Sequence, residues 1–196
     1  MKRFWLVLVM SFLGGIMFSY AGEAKAMKKA VLVIAHEGFR DEELLDTKEA
    51  LEKNGVAVKI ASTELSEAKG KLGARVMPDM LFKDIKMKDF DAIVFVGGPG
   101  GVQYWDDPLA HKLLQEAVSS GKVSAGICSA AATLAKAGIL KGKRSTVFPG
   151  DSRELIANGA NYTANHVERD GQIITADGPD AAYNFGEEIA QALGKM

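Results

Sequence analysis

Residues 122–140 read KVSAGICSAAATLAKAGIL. The stretch opens as an apolar strand pattern (122–128) and turns at once into a helix of mostly small residues, SAAATLAKAG (129–138). At the junction stands Cys128, the only cysteine of the 196-residue chain. Small side chains let a helix lie close on a sheet, so this helix is expected to be buried. A strand that passes directly into a helix suggests a parallel sheet with helical crossovers, provided the flanks repeat the alternation.

They do. Upstream, DAIVFVGGPGG (91–101) predicts a buried strand running into a glycine-rich turn. Asp107 and Pro108 then open a helix, as a capping residue followed by proline at the first helical position. Its apolar stripe is Leu109, Leu113, Leu114, Ala117 and Val118, and Gly121 ends it. Nearer the N-terminus, AVLVIA (30–35) suits a strand covered on both faces. The next segment, RDEELLDTKEALEKNG (40–55), predicts a helix with Asp41 as its N-cap, Leu44, Thr47 and Leu51 on one face, and Gly55 as its stop. VAVKIAS (56–62) is the following strand. From Thr63 to Lys88 the pattern weakens to a hairpin or short excursion, where Pro78 argues against a central strand.

Downstream, STVF (145–148) predicts a further strand and DSRELIANG (151–159) a short helix capped by Asp151. HVERDGQIITADG (166–178) predicts a hairpin around Asp170-Gly171. A last helix carries Ala182, Phe185, Ile189 and Leu193 on one face. The fold class is therefore α/β, a mainly parallel sheet covered on both faces. Ligands of such sheets bind at the carboxyl ends of the strands.

The totals narrow the function classes. Net charge is −1 with both signs interspersed, so no basic face suits nucleic acid. A lone cysteine excludes an intrachain disulfide, and no histidine pair has metal-ligand spacing, so no metal is expected. The glycine turn does not match G-x-G-x-x-G, and no P-loop lysine follows it, which disfavours nucleotides.

Residues 1–26 form a separate unit. A basic start (Lys2, Arg3) precedes an apolar stretch from Phe4 to Phe18, and small-x-small sites end at Ala21 and Ala26. This is the layout of a signal peptide, and it falls short of the ~20 residues a membrane span needs. The expectation is an exported, periplasmic or secreted domain over 27–196, free of the membrane after cleavage. An uncleaved anchor is one alternative. A cytoplasmic protein starting at Met27 is the other.

The chemistry candidates sit beyond strand ends. Cys128 has the position of a nucleophile elbow. A helix N-terminus there favours the thiolate, the reactive form, over a plain buried thiol. Gly97 and Gly98, with the Ser129 N–H, could receive an oxyanion. Glu42 and Glu43 fall in the first turn of the helix after AVLVIA. A carboxyl group pushed toward the thiol would have a raised pKa and could donate to it. Of the three histidines, His36 alone follows a strand end, which makes it the candidate accessory partner of the thiol. Tyr104 and Trp105 could rim the pocket or simply cap the helix entry.

Together, KKAVLVIAHEGFRDEELLDTKEALEKNGVAVKIAS, DFDAIVFVGGPGG, GKVSAGICSAAATLAKAGILKGKRSTVFP and DGQIITADGPDAA resemble the ThiJ/PfpI superfamily, which includes the parkinsonism-associated deglycase. The resemblance implies a flavodoxin-like three-layer sandwich of the class I glutamine amidotransferase type, and a homodimer or larger homo-oligomer. It implies Cys128 as the elbow cysteine and Glu43, rather than Glu42, as its acidic partner. Gly97 and Gly98 match the oxyanion glycines. It also implies chemistry on small reactive carbonyls of the glyoxalase or deglycase kind, without a cofactor. A redox-sensing or chaperone-like stress protein is the alternative, and a cysteine peptidase or amidase a more distant one. Three positions depart from parts of the family. Ser129 and Phe148 stand where different branches carry a histidine, and Arg40 where some relatives are acidic. A Cys-Glu site fits these departures better than a Cys-His triad.

Overall fold

The computed structural model describes residues 27–194, so the expected signal segment lies outside the described residues. In chain order the elements are β1 (Lys29–Val33), β2 (Glu37–Phe39), α1 (Asp41–Lys53), β3 (Ala57–Ser62), β4 (Ala68–Gly70), β5 (Arg75–Val76), β6 (Met80–Leu81), β7 (Ala92–Phe95), α2 (Pro108–Ser119), β8 (Val123–Ile127), α3 (Ala131–Lys136), β9 (Arg144–Ser145), α4 (Ser152–Ala157), β10 (Asn161–Tyr162), β11 (Val167–Asp170), β12 (Ile173–Ala176) and α5 (Ala182–Gly194).

Seven strands form the central sheet in the order β11-β12-β8-β7-β1-β3-β6. All neighbours are parallel except β11 and β12, the predicted hairpin. The apolar runs are continuous because both sheet faces are covered. Leu32 and Val94 face a cluster with Leu44 and Leu51 of α1 and Phe185 and Ile189 of α5. Val33 and Phe95 face the opposite cluster, with Leu113 and Leu114 of α2 and Leu134 of α3. This is the three-layer α/β sandwich expected from the sequence.

Helix α3 lies flat on the sheet because Gly126 has no side chain. A Cβ there would come within 2.8 Å of Leu134 Cδ1. At the α1–α5 contact, Gly186 does the same: its Cβ would sit 2.7 Å from that of Ala50. Asp107 caps α2 as expected, its Oδ1 accepting from the N–H groups of Leu109 and Ala110.

Three local expectations are corrected. Of STVF (145–148) only Ser145 lies in a strand, β9, which stands outside the main sheet and pairs with β10, because β12 already occupies the place beside β8. Asp41 is the first residue of α1 rather than its cap; the cap is Arg40, whose side chain makes no capping bond, and the Asp41 carboxylate reaches across to another turn. Asp151 precedes α4 but makes no side-chain cap bond. The weak 63–88 region holds the β4–β5 hairpin and then β6, a two-residue edge strand just past Pro78.

Candidate active site

The carboxyl ends of β1, β7 and β8 meet at one spot. Cys128 directly follows β8 with φ +58°, left-handed backbone that costs a non-glycine residue roughly 1–2 kcal/mol. Such strain persists where neighbours over-determine the turn. Here the Ser129 hydroxyl donates to the Gly98 carbonyl (3.2 Å), and the Trp105 indole N–H donates to the Ser129 carbonyl (2.8 Å). Trp105 therefore braces the elbow from beneath instead of rimming a pocket. Tyr104 is buried, donating to the Ile34 carbonyl and packing on Phe82 and Phe95.

Glu43 comes from the first turn of α1 and is fully buried. Its Oε2 accepts from the Gly97 N–H at 3.0 Å, while the Arg40 N–H donates to the Gly97 carbonyl at 3.0 Å. One peptide-linked residue thus ties the start of α1 to the end of β7. Only glycine fits there. A Cβ on Gly97 would stand 2.7 Å from Glu43 Oε2 and 2.8 Å from both Cys128 Cβ and the Ile127 carbonyl oxygen. Gly98 adopts φ +96°, and a Cβ there would stand 2.5 Å from the Arg40 backbone nitrogen.

The carboxyl and the thiol are electrostatically coupled. Glu43 Oε1 is buried with no hydrogen-bond partner among the described residues. Burial raises the Glu43 pKa to about 7, against the opposing pull of Cys128, Gly97 and Arg40. Burial, and next the Glu43 charge, push the Cys128 thiol up to about 12; N–H groups of Ser129 and Gly98 oppose the rise. The expectation of a thiol ionised by a helix end is corrected accordingly. The N–H groups are present, but α3 is only six residues long and desolvation outweighs them. The chemical unit is a carboxyl beside a thiol, each held toward its neutral form by burial.

The thiol is not sealed. Cys128, Glu43 and Ser129 line a cavity of about 430 Å³ with Gly98, Pro99, Val102, Phe148 and Pro179. Arg40, Lys71 and Asp151 line it too; the sequence marks Asp151 only as a helix cap, Arg40 only as a departure from some relatives, and Lys71 not at all. Arg40 is held by Glu42, Nε to Oε2 at 2.9 Å. Two other expectations change. The Gly97 N–H is taken by Glu43, so the donors facing the sulfur are those of Gly98 and Ser129. His36 does not line the cavity; its Nε2 lies 3.4 Å from Ser66 Oγ and 3.8 Å from Glu64 Oε2. His111 contacts the Trp105 carbonyl and His166 contacts Asp177, so no histidine reaches the thiol.

A cysteine at the elbow after β8, with a buried α1 carboxyl beside it, invites comparison with known proteins. The model of the DJ-1/PfpI family matches residues 28–192. The chain belongs to the DJ-1/PfpI family. It is 37% identical to Uncharacterized protein MJ0967 of Methanocaldococcus jannaschii over 202 residues, covering 100% of this chain and 98% of that one. It is 30% identical to the Glutathione-independent glyoxalase DJR-1.2 of Caenorhabditis elegans, covering 86% of this chain and 90% of that one. Other DJ-1/PfpI relatives are named deglycases. A ThiJ/PfpI domain protein from Brachyspira murdochii superposes with a TM-score of 0.84 at 32% identity, over 87% of this chain and 98% of that one.

Proposed function

We propose that the protein is a cofactor-independent enzyme of small reactive carbonyls, with glyoxalase- or deglycase-type chemistry at Cys128 and Glu43. The observation that carries this reading is a buried carboxyl beside the elbow thiol at the wall of one cavity. Glu43, with a pKa near 7, is about half ionised at neutral pH and stands beside a thiol that burial holds in its neutral form. General bases work best with a pKa near the working pH.

The steps follow from that pair. Glu43 takes the thiol proton as sulfur adds to the aldehyde carbon of an α-oxoaldehyde, and returns it to the carbonyl oxygen, giving a hemithioacetal. The resulting carboxylate removes the proton on the aldehyde carbon and delivers it to the neighbouring carbonyl carbon, while the hydroxyl proton passes from the first oxygen to the second. The product is a thioester of a 2-hydroxy acid, and water cleaves it to the free acid and the thiol. For methylglyoxal the sum is dicarbonyl plus water to lactate. N–H groups of Gly98 and Ser129 stabilise negative charge on the sulfur between steps. The test is lactate formation by the purified chain, abolished in Cys128→Ser. An inert wild-type protein at millimolar dicarbonyl overturns the reading.

One observation favours a second reading. A protonated Glu43 beside a solvent-reachable thiol is also placed to donate to a sulfenic or sulfinic oxygen, so a redox-sensing role fits the same pair. Selective peroxide oxidation of Cys128 without carbonyl turnover would separate the two. A peptidase triad has no support, since no histidine lines the cavity.

A further inference from the structure

We propose that Lys71 is a substrate-binding residue and that the cavity takes an α-oxoaldehyde bearing a carboxylate at its far end. This rests on the carbonyl reading above and names the substrate class within it.

The first observation is an unmatched cation. Lys71 lines the same cavity as Cys128, and its ammonium has no hydrogen bond or ion pair among the described residues. The other cation of the cavity, Arg40, is already bound by both oxygens of Glu42. One charge therefore remains to be satisfied by something that enters.

The second observation is how firmly the backbone that carries this cation is placed. Lys71 sits in the tight turn between β4 and β5. The nearly buried Asp41 carboxylate grips this turn, Oδ2 accepting from the Leu72 N–H (2.8 Å) and Oδ1 from the Ala74 N–H (2.6 Å). The Lys71 N–H donates to the Phe39 carbonyl at 2.8 Å. Gly70 has no side chain because a Cβ would lie 2.5 Å from Asp41 Oδ2. A buried carboxylate two residues from Glu43 thus fixes the turn that carries Lys71. A merely solvating lysine needs no such support.

The third observation is size and polarity. At about 430 Å³ the cavity falls in the range of roughly 300–1,000 Å³ that holds ligands well beyond a three-carbon dicarbonyl. Asp151 lines it as well, with a pKa raised first by burial and then by Glu154. An anionic tail is drawn to Lys71 and turned from Asp151, which orients the aldehyde end. A single free ammonium matches a singly charged carboxylate better than a phosphate, which carries nearly two charges and three acceptor oxygens.

The test needs no turnover. Cys128 is alkylated with iodoacetate and with iodoacetamide, and the ratio of the two rates is divided by the same ratio for N-acetylcysteine. The quotient cancels thiol ionisation. It is expected to exceed one in wild type, to fall about five- to tenfold in Lys71→Met, and to survive in Lys71→Arg. Lys71 is exposed, so the substitution leaves the core alone. A quotient equal in wild type and Lys71→Met overturns the proposal. A second arm compares kcat/KM for 4,5-dioxopentanoate with that for methylglyoxal; their ratio should drop by a similar factor in Lys71→Met, through KM. Charge-selective alkylation without dicarbonyl turnover would remove the enzymatic reading yet leave the anion site standing. Turnover with charge-blind alkylation would do the reverse.

Discussion

Gly97 and Glu43 are hydrogen-bonded across 54 positions of sequence, N–H to Oε2 at 3.0 Å, and this bond sets where the carboxyl stands relative to the sulfur. Removing the space it depends on should be costly. Gly97→Ala forces a methyl group against Glu43, Cys128 and the Ile127 carbonyl at once. A loss of about 1–3 kcal/mol in stability is expected from overpacking, together with loss of carbonyl turnover. Chemical denaturation and a lactate assay read the two effects. An active, fully stable Gly97→Ala protein would show that the carboxyl is not held by this contact.

Cys128→Ser and Glu43→Gln should each lower lactate formation from methylglyoxal, the glutamine variant by about 10²–10⁴-fold. Serine retains the shape but not the nucleophilicity. Glutamine retains the acceptor for Gly97 but cannot carry the proton. Residual activity within tenfold of wild type in Glu43→Gln would assign the proton transfer to another group.

Alkylation of Cys128 by iodoacetamide should rise with pH through an apparent pKa near 7. The rise follows Glu43 as it ionises and becomes able to take the thiol proton. In Glu43→Gln that step should vanish, leaving one alkaline limb. The thiol still pays for burial there, but the carboxylate charge no longer adds to it. A wild-type profile without a step near neutrality would uncouple the two groups.

The raised Glu43 pKa also has a cost that can be measured. The folded chain holds a proton on this carboxyl between about pH 4.5 and 7, while the unfolded chain has released it. Stability is therefore lost as pH climbs through that window. Glu43→Gln removes the penalty, so it should be more stable than wild type at pH 8, by up to about 3 kcal/mol, and no more stable below pH 4. Urea melts at the two pH values test this. A pH-independent difference would mean that packing, not ionisation, separates the variants.

The left-handed backbone at Cys128 gives another measurable sign. Cys128→Gly should be more stable than Cys128→Ala by about 1 kcal/mol, although glycine is normally the worse choice inside regular structure. Thermal melts of the two variants decide it.

The alternation of strands and helices was legible because a sheet covered on both faces needs unbroken apolar runs such as AVLVIA and DAIVFV. The elbow was legible for the same reason: Cys128 ends such a run and begins a stretch of alanines. Glu43 was harder. Residue patterns left it level with Glu42, and only the family resemblance separated them; the structure puts Glu43 in the core and Glu42 on Arg40. Asp41 was misread because capping is a local rule. Its carboxylate instead bonds backbone groups 31 and 33 residues away, where no sequence pattern points. Trp105 and Lys71 were opaque for that reason too. Their importance lies in what lies across from them, and a linear pattern records only what lies beside them.

Arg40, Glu43, Lys71, Gly98, Cys128 and Asp151 come from well-separated parts of the chain and converge only where the finished sheet brings them. An extended or half-assembled polypeptide carries the same sulfur with none of its company: ordinary in acidity, indifferent to the charge of an attacking reagent. The moment at which Cys128 acquires its own character is thus the moment at which the last crossover locks. Labelling kinetics at this one atom would time that event from within, without any added probe.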